Sequence, residues 1–582
     1  MSINKCIGFF VAALVVAAWQ HAPGTPTVAG TDPADAAVYI VQADSVAHAT
    51  AQVEATGATV LEPLQIIDAV AASMTATQRA ALTDARVFQD ASVKLSAKNT
   101  ETREPAASTK SVPGNGKGNT QANQSPVNHN VQLLGASDLH AAGIDGAGVT
   151  VAVIDSGLWA HFAMNGIMHR MIIDVDTTGD RVVTNRYRED DNGHGTHVST
   201  VMLSHEKQEN GLYEGIAPQA NMIALKAFGA DGSGSYLSVI RALDWVVQNA
   251  ARYDIRVLNL SFSAPPRSNY WDDPINQAVM RAWDAGIVVV ASAGNGGPEP
   301  MTIGVPGNLP YIITVGAMTD NYTPFDSTDD RLASFSASGP THEGFVKPEV
   351  VAPGGHVPGR MAYYAQIAED HPESMHPNDY HFEMSGTSQA AAIVSGIAAL
   401  MIDADPGLTP DDVKCRLMAS SRPAINAEGK LAYSVFQQGA GLVNALDAVS
   451  SAASDCANHG LDIKADIAGD KHFGGPANID DNGNYYIMDL EQGSMAQAVD
   501  SDGFVWSQGF VWSQGFVWSQ GFVWSQGFVW SQGFVWSQSE VISDGFVWSQ
   551  GYVWSQSLPW SGAVDAPGKT DTASVNRWVN HE

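Results

Sequence analysis

Residues 382–401 constrain this chain most. Phe382-Glu383-Met384-Ser385-Gly386-Thr387-Ser388-Gln389 leads into Ala390-Ala391-Ala392, then Ile393, Ile397, Leu400 and Met401. Small polar residues around a glycine read as a tight turn, and the alanines after it favour helix. The apolar spacing leaves that helix little surface for solvent, so it belongs inside a large domain. Ser388 then falls at or near the helix N-terminus. Backbone N–H groups there are unpaired and the macrodipole favours negative charge. A serine so placed suits attack on a carbonyl and capture of the resulting oxyanion. Serine is also an ordinary N-cap, and the turn by itself does not separate the two roles.

Two other stretches bear on the choice. The run Val149-Thr150-Val151-Ala152-Val153-Ile154 predicts a strand buried on both faces of a parallel sheet. Asp155 ends it, where open α/β sheets place their ligand sites. Asp191-Asn192-Gly193-His194-Gly195-Thr196-His197-Val198 sets His194 between glycines at the start of another apolar helix. Asp155, His194 and Ser388, in that order, resemble the subtilisin family of serine proteases, whose catalytic residues follow this chain order. The likeness runs from about residue 130 to about residue 450. It includes Gly215-Ile216-Ala217-Pro218, the stretch from Lys226 to Gly234, Asn259-Leu260-Ser261, Ala293-Gly294-Asn295, and Lys347-Pro348-Glu349 through Gly354.

The resemblance implies an α/β fold, a subtilisin-like doubly wound parallel sheet, and a serine endopeptidase. Ser388 would be the nucleophile, His194 its base and then the acid for the leaving amine, and Asp155 the group that orients His194. His197 is structural on the family pattern. Asn295 matches the oxyanion amide, a donor worth about 3–4 kcal/mol in the transition state by measurement on a subtilisin. Gly232, Ser233 and Gly234, with Ser261, Phe262 and Ser263, match the two segments that bind an extended peptide. Gly304 matches the floor of the primary specificity pocket. With glycine there and no acidic residue in the lining, a bulky apolar residue is expected before the scissile bond. Tyr236 and Phe262 would form an apolar subsite further along. Gln389 stands where Met is common, Ala392 where Pro is usual and Ser263 where Gly is usual. None of these removes a catalytic group, and the last narrows the pocket mouth. Structural calcium is a habit of the family. No clear match to its loop follows His197, so calcium is left open and no metal ligand is assigned. The segment 356–380 has several histidines at irregular spacing and reads as a solvated loop.

The remainder divides into further units. At 582 residues more than one domain is expected, and 45% hydrophobic content permits a large core. A formal charge of −31 disfavours nucleic acid and anionic membranes as partners. Lys5 and the uncharged apolar run from Cys6 to Trp19 have the layout of a secretory signal peptide, taken as residues 1–22. Residues 36–95 read as a β-α-β-β-α-β ferredoxin-like module with a closing strand over 87–95 and a Thr75/Gln78 capping box. It resembles the propeptide of subtilisin relatives, an intramolecular inhibitor until it is cut away. Residues 96–130 have linker composition and are where maturation is expected. The catalytic domain is expected over 131–455, where apolar strands alternate with helices. With Cys6 lost in the signal, Cys415 and Cys456 are left as a candidate disulfide in an exported chain.

Residues 456–502 are Gly- and Asp-rich and read as a connector. The hexapeptide Gly-Phe-Val-Trp-Ser-Gln then dominates the tail over 503–562, followed by a terminal segment, 563–582. A period of six puts Phe504 and Trp506 on one face of an extended chain. The tail suits a β-rich stack or attachment to an insoluble polymer or the cell surface. A rival to the enzyme is therefore a surface-binding, adhesive protein that uses this tail on a silent protease fold.

Overall fold

The computed structural model describes residues 36–95, 127–161, 165–185, 189–376, 380–426, 431–479 and 485–487, and four short strands in the tail. The signal segment, most of the linker and the segment 563–582 lie outside the described residues.

The N-terminal module holds β1 (Ala37–Gln42), β2 (Thr59–Leu64), β3 (Ala69–Met74) and β4 (Arg86–Gln89) in the order β2-β3-β1-β4, all antiparallel. Two helices, Val46–Ala55 and Ala76–Ala80, complete the β-α-β-β-α-β order. Ser45 caps the first, and Thr75 with Gln78 forms a capping box on the second. Val41, Ala49, Val53, Val70, Ala72 and Met74 make a small separate core. The single closing strand expected over 87–95 is broken at Asp90-Ala91. There Asp90 Oδ1 accepts from the Leu237 N–H and the Ala91 carbonyl accepts from the Tyr236 N–H. β5 (Ser92–Leu95) leaves the module and pairs with two unpartnered strand edges of the next domain.

That domain is built on β6 (Thr150–Asp155), β7 (Met171–Asp176), β8 (Val183–Asn185), β9 (Asn221–Lys226), β10 (Ser233–Ser235), β11 (Ile255–Leu260), β12 (Phe262–Ser263), β13 (Val288–Ser292), β14 (Ile313–Thr319), β15 (Arg331–Leu332) and β16 (Val350–Pro353). The main sheet runs β15-β14-β13-β11-β6-β9-β7-β8, with β16 on β14. β7, β9, β6, β11, β13, β14 and β16 are parallel, and antiparallel β8 and β15 close its edges. All six residues of β6 are buried, as its run of apolar residues requires. β6 lies between β9 and β11, so the strand order departs in both directions from it, and Asp155 stands at that switch point.

The helix Thr387–Ala404 is long and apolar enough to cross a membrane, yet it lies inside the domain, packed on β11, β13, β14 and the helix His194–Leu203. Burial on all sides accounts for its composition. Gly396 lets it approach closely: a Cβ there would come within 2.7 Å of Ile216.

The domain extends past the boundary expected at 455. Cys456 is bonded to Cys415, their Cα atoms 5.2 Å apart. Buried Asp466 accepts from the Tyr270 and Tyr311 hydroxyls at 2.5 and 2.8 Å and pairs with His472 Nδ1 at 2.7 Å. Residues 456–479, expected as a connector, pack on this domain through the disulfide, Asp466 and Asn458, while most of their other polar residues face solvent. In the tail, the strands Val511–Trp512, Phe516–Ser519, Phe534–Ser537 and Val553–Ser555 form one sheet. Its parallel pairs put identical repeat positions opposite one another, Phe516 to Phe534 and Trp518 to Trp536.

Candidate active site

The three residues singled out in the sequence meet at one end of the main sheet. Asp155 closes β6, His194 opens the helix His194–Leu203, and Ser388 is the second residue of the helix Thr387–Ala404. All three are about 1% exposed. His194 Nδ1 lies 2.8 and 3.0 Å from the two Asp155 oxygens. That contact fixes Nδ1 as the protonated nitrogen and leaves Nε2 to act as a base. Nε2 is buried and has no partner among the described residues. Ser388 Oγ donates to the Ser261 carbonyl at 3.1 Å.

Asn295 is held from one side only. Its Oδ1 accepts from the Thr387 N–H at 3.0 Å and from the Thr387 hydroxyl at 2.9 Å. A backbone N–H can face only the oxygen of the carboxamide, so Nδ2 is the free donor, buried and unpartnered among the described residues. Gly294, at φ +107°, makes the turn out of β13 that brings Asn295 here. The Ser388 N–H is one of the four that a helix leaves without an intrahelical acceptor. Unsatisfied buried groups are rare, and two beside one serine mark a site that awaits a ligand.

The sequence reading did not single out Asp190. It is buried and accepts from Ser156 Oγ, the Gly193 N–H, and the Thr196 N–H and hydroxyl. Burial raises its pKa against those bonds. Asp190 ties the turn before His194 to the chain just after Asp155 and positions both. The acidic pair Asp190-Asp191 ahead of Asn192-Gly193 was the available signal. His197, one turn after His194, bonds through Nε2 to the Phe382 carbonyl and through Nδ1 to Gln389. Burial pushes its pKa down to about 3, so it is neutral and structural. The segment expected as a solvated histidine loop instead runs into a hairpin, β17 (Val357–Arg360) and β18 (His381–Met384). There buried His381 and Arg360 pair with Glu214, because each can satisfy that inward-facing carboxylate. Among the described residues no group of three or more His, Cys, Asp or Glu is placed to hold a metal ion.

The substrate segments frame β5. Ser233, Gly234 and Ser235 of β10 pair antiparallel with Lys94, Val93 and Ser92. Phe262 and Ser263 of β12 pair with Leu95 and Lys94. The Gly232 carbonyl accepts from the Leu95 N–H at 3.1 Å, and Ser261 reaches Ser388 through both its carbonyl and its hydroxyl. Tyr236 is buried with its hydroxyl on Asp273, and Phe262 packs on Phe228, so both form the floor beneath the cleft. Gly304 lies against Ser263. A Cβ built on it would overlap Ser263 Oγ, and one on Gly294 would lie 3.1 Å from the same oxygen.

A family model for the subtilase family matches residues 146–441. Over 311 residues the chain is 39% identical to serine protease AprX of Bacillus subtilis, covering 53% of this chain and 67% of that one. It is 32% identical to subtilisin DY of Bacillus licheniformis over 322 residues, covering 55% of this chain and 97% of that one. Among solved structures it resembles fervidolysin from Fervidobacterium pennivorans, a keratinolytic enzyme related to subtilisin. That match has a TM-score of 0.55 at 20% identity and covers 72% of this chain and 61% of the other. The fold is therefore subtilisin-like, and the chain belongs to the subtilase family of serine endopeptidases.

Proposed function

We propose that this chain is an exported, self-processing endopeptidase that works through Asp155, His194 and Ser388, with Asn295 and the Ser388 N–H as oxyanion donors. The observation that carries the reading is the paired Asp155–His194 contact with His194 Nε2 and Asn295 Nδ2 left free beside Ser388. A peptide strand laid between β10 and β12 brings a carbonyl to Ser388 by main-chain pairing alone. Ser388 Oγ attacks as His194 Nε2 takes its proton, and Asp155 stabilises the imidazolium. Negative charge gathers on the carbonyl oxygen, where Asn295 Nδ2 needs no rearrangement to donate. His194 then protonates the leaving amine, and water repeats the sequence on the acyl-enzyme.

The N-terminal module acts as the inhibitor in this scheme, because β5 occupies the strand position that a substrate needs. A serine-directed fluorophosphonate should label the processed protein at Ser388 and fail on Ser388→Ala. A processed wild type that hydrolyses no peptide and takes no label would leave the silent-fold reading standing. The repeat tail serves attachment to an insoluble polymer or the cell surface. A chain ending at Asp502 keeps Cys456 and Asp466; it should retain peptidase activity and lose binding to cell envelope or insoluble polysaccharide. Equal retention of both forms removes that role.

A further inference from the structure

A cluster of aromatic rings stands beside the catalytic histidine and takes no part in the chemistry above. Its outer rings lie between β17 and β18, where the Tyr380 carbonyl accepts from the Met361 N–H at 2.9 Å. This stretch rests on the turn that carries His194. The Gln366 and Ile367 N–H groups donate to the Asp191 and Asn192 carbonyls at 2.8 and 3.1 Å. A Cβ on Gly193 would come within 2.9 Å of both Met361 and Ala365. Trp159, shortly after Asp155, joins the same place, its N–H donating to Thr196 Oγ1 at 2.9 Å.

Trp159 stacks on His161 at 4.1 Å and meets Tyr364 and Tyr380 edge-on at 6.1 and 5.2 Å. Tyr363 stacks on Tyr380 at 6.0 Å. Trp159 is 5% exposed, whereas Tyr363 and Tyr364 are 62% and 52% exposed. The base of the cluster is therefore packed and its top is open. Tyr380 has φ +63°, a left-handed conformation that a bulky residue keeps only where its surroundings impose it. Rings that merely filled the core would be covered; this arrangement presents two neighbouring tyrosines to solvent on a fixed support.

The direction of the cleft says what reaches them. A peptide laid like β5 passes β10 and β12 with the residues before its scissile bond and arrives at Ser388 beside Ser261. The residues after the bond continue past the triad. Asn192 marks the divide. Its Nδ2 bonds to the Ala230 carbonyl on the β10 side, and its own carbonyl accepts from Ile367 on the other. The five rings include no carboxylate, ammonium or guanidinium group. Ring pairs gain from stacked and edge-on contact beyond the area they bury, and rings already in place give that contact at low entropic cost.

We propose that Tyr363 and Tyr364, seated on Trp159 and Tyr380, bind an aromatic side chain of the substrate on the leaving-amine side of the scissile bond. The inference rests on the catalytic reading above and adds a substrate class to it, chains with Phe, Tyr or Trp shortly after the bond that is cut.

The test uses the processed full chain and a series of internally quenched peptides. All share the residues before one cleavage point, checked by mass spectrometry. Trp replaces Ala at successive positions after that point, one peptide at a time. At one position or two adjacent ones the wild type should favour Trp over Ala by about fivefold in kcat/KM, with the gain in KM. Tyr363→Ala with Tyr364→Ala should bring that ratio close to unity, and Tyr363→Phe with Tyr364→Phe should keep it. Each ratio is taken within one enzyme, so a variant that folds only in part still reports it. An active wild type with no preference at any position, or a double Ala variant with an unchanged ratio, overturns this inference alone. A ratio that appears only when the chain is ended at Asp502 also overturns it, since the repeat tail would then be what covers the rings. A wild type that cuts none of the peptides and takes no fluorophosphonate at Ser388 sinks the catalytic reading, and this inference with it.

Discussion

Two segments outside the subtilase core grip it in opposite ways. The N-terminal module is held by the main-chain pairing of β5, by buried apolar residues such as Leu64, Ile66, Ile67, Val93 and Leu95 that join the catalytic domain's core, and by polar contacts nearer the surface. Arg86 pairs with Asp272 and Arg281 with Asp68, all four side chains about a third or more exposed. The Glu62–Arg241 pair is more buried than either of these. Residues 456–479 are held by the Cys415–Cys456 disulfide and by a buried carboxylate shared by two tyrosines and a histidine. The exposed ion pairs of the first attachment can be exchanged for water at little cost. The contacts of Asp466 in the second cannot, since losing a partner leaves a buried charge unpaired. On the proposed reading the N-terminal module leaves and residues 456–479 stay. The module has a small core of its own.

The largest test of this contrast is Ser388→Ala. It should lower kcat/KM by ~10⁴-fold or more and keep the N-terminal module covalently attached, making both segments permanent. Replacing Cys415 and Cys456 with serine should do the reverse and loosen the segment meant to stay. A bridge spanning 41 residues is worth about 4 kcal/mol by chain entropy. Denaturant unfolding of the Ser388→Ala form, which cannot digest itself, would read this; a loss below about 1 kcal/mol would remove the disulfide from the comparison.

Acid should act on the core through Glu214 and His197. Burial would raise the Glu214 pKa, but His381 and Arg360 outweigh it and hold it down to about 2 from an ordinary 4.5. With the folded value depressed, its stabilisation is complete above about pH 4.5 and is lost as pH falls toward 2. The size is about 3 kcal/mol. His197, at about 3 when folded, must charge on unfolding, so stability also declines as pH falls from about 6.5 toward 3. Unfolding half-lives across pH 2–7 should show both, and Glu214→Gln should flatten the lower limb. The smallest effects compare single contacts. Asp466→Asn should cost about 2–3 kcal/mol through its tyrosine partners. Arg86→Ala should cost no more than about 0.5 kcal/mol and vanish in salt. Equal costs would refute the contrast between the two grips.

Much of the core was readable because its constraints are local. The run into Asp155, the glycines around His194 and the alanines after Ser388 each determine an element and its end, and the elements meet where parallel sheets form their crevices. Asn295 was legible only through the family resemblance carried by Ala293-Gly294-Asn295. What escaped depends on atoms far apart in sequence. The hydroxyl of Ser263 matters only because Gly304, forty-one positions on, faces it. Asp466 sits in a Gly- and Asp-rich stretch that reads as solvent-loving, and only Tyr270 and Tyr311 make it a buried anchor. The break at Asp90-Ala91 has no marker such as Gly or Pro, because its cause is the Tyr236 and Leu237 N–H groups of another domain.

The β5 pairing also bears on dose. While the linker after β5 is whole, the blocking strand shares a molecule with its cleft, so its effective concentration is high and independent of how much protein is present. On the proposed reading, cutting that linker leaves the β5 pairing in place, yet it turns one molecule into two. Occupancy is then set by mass action. On this reading a concentrated population of cut molecules stays blocked, and spreading into a larger volume releases activity without any further chemical step. A delay between cleavage and activity that shortens on dilution would be the kinetic signature.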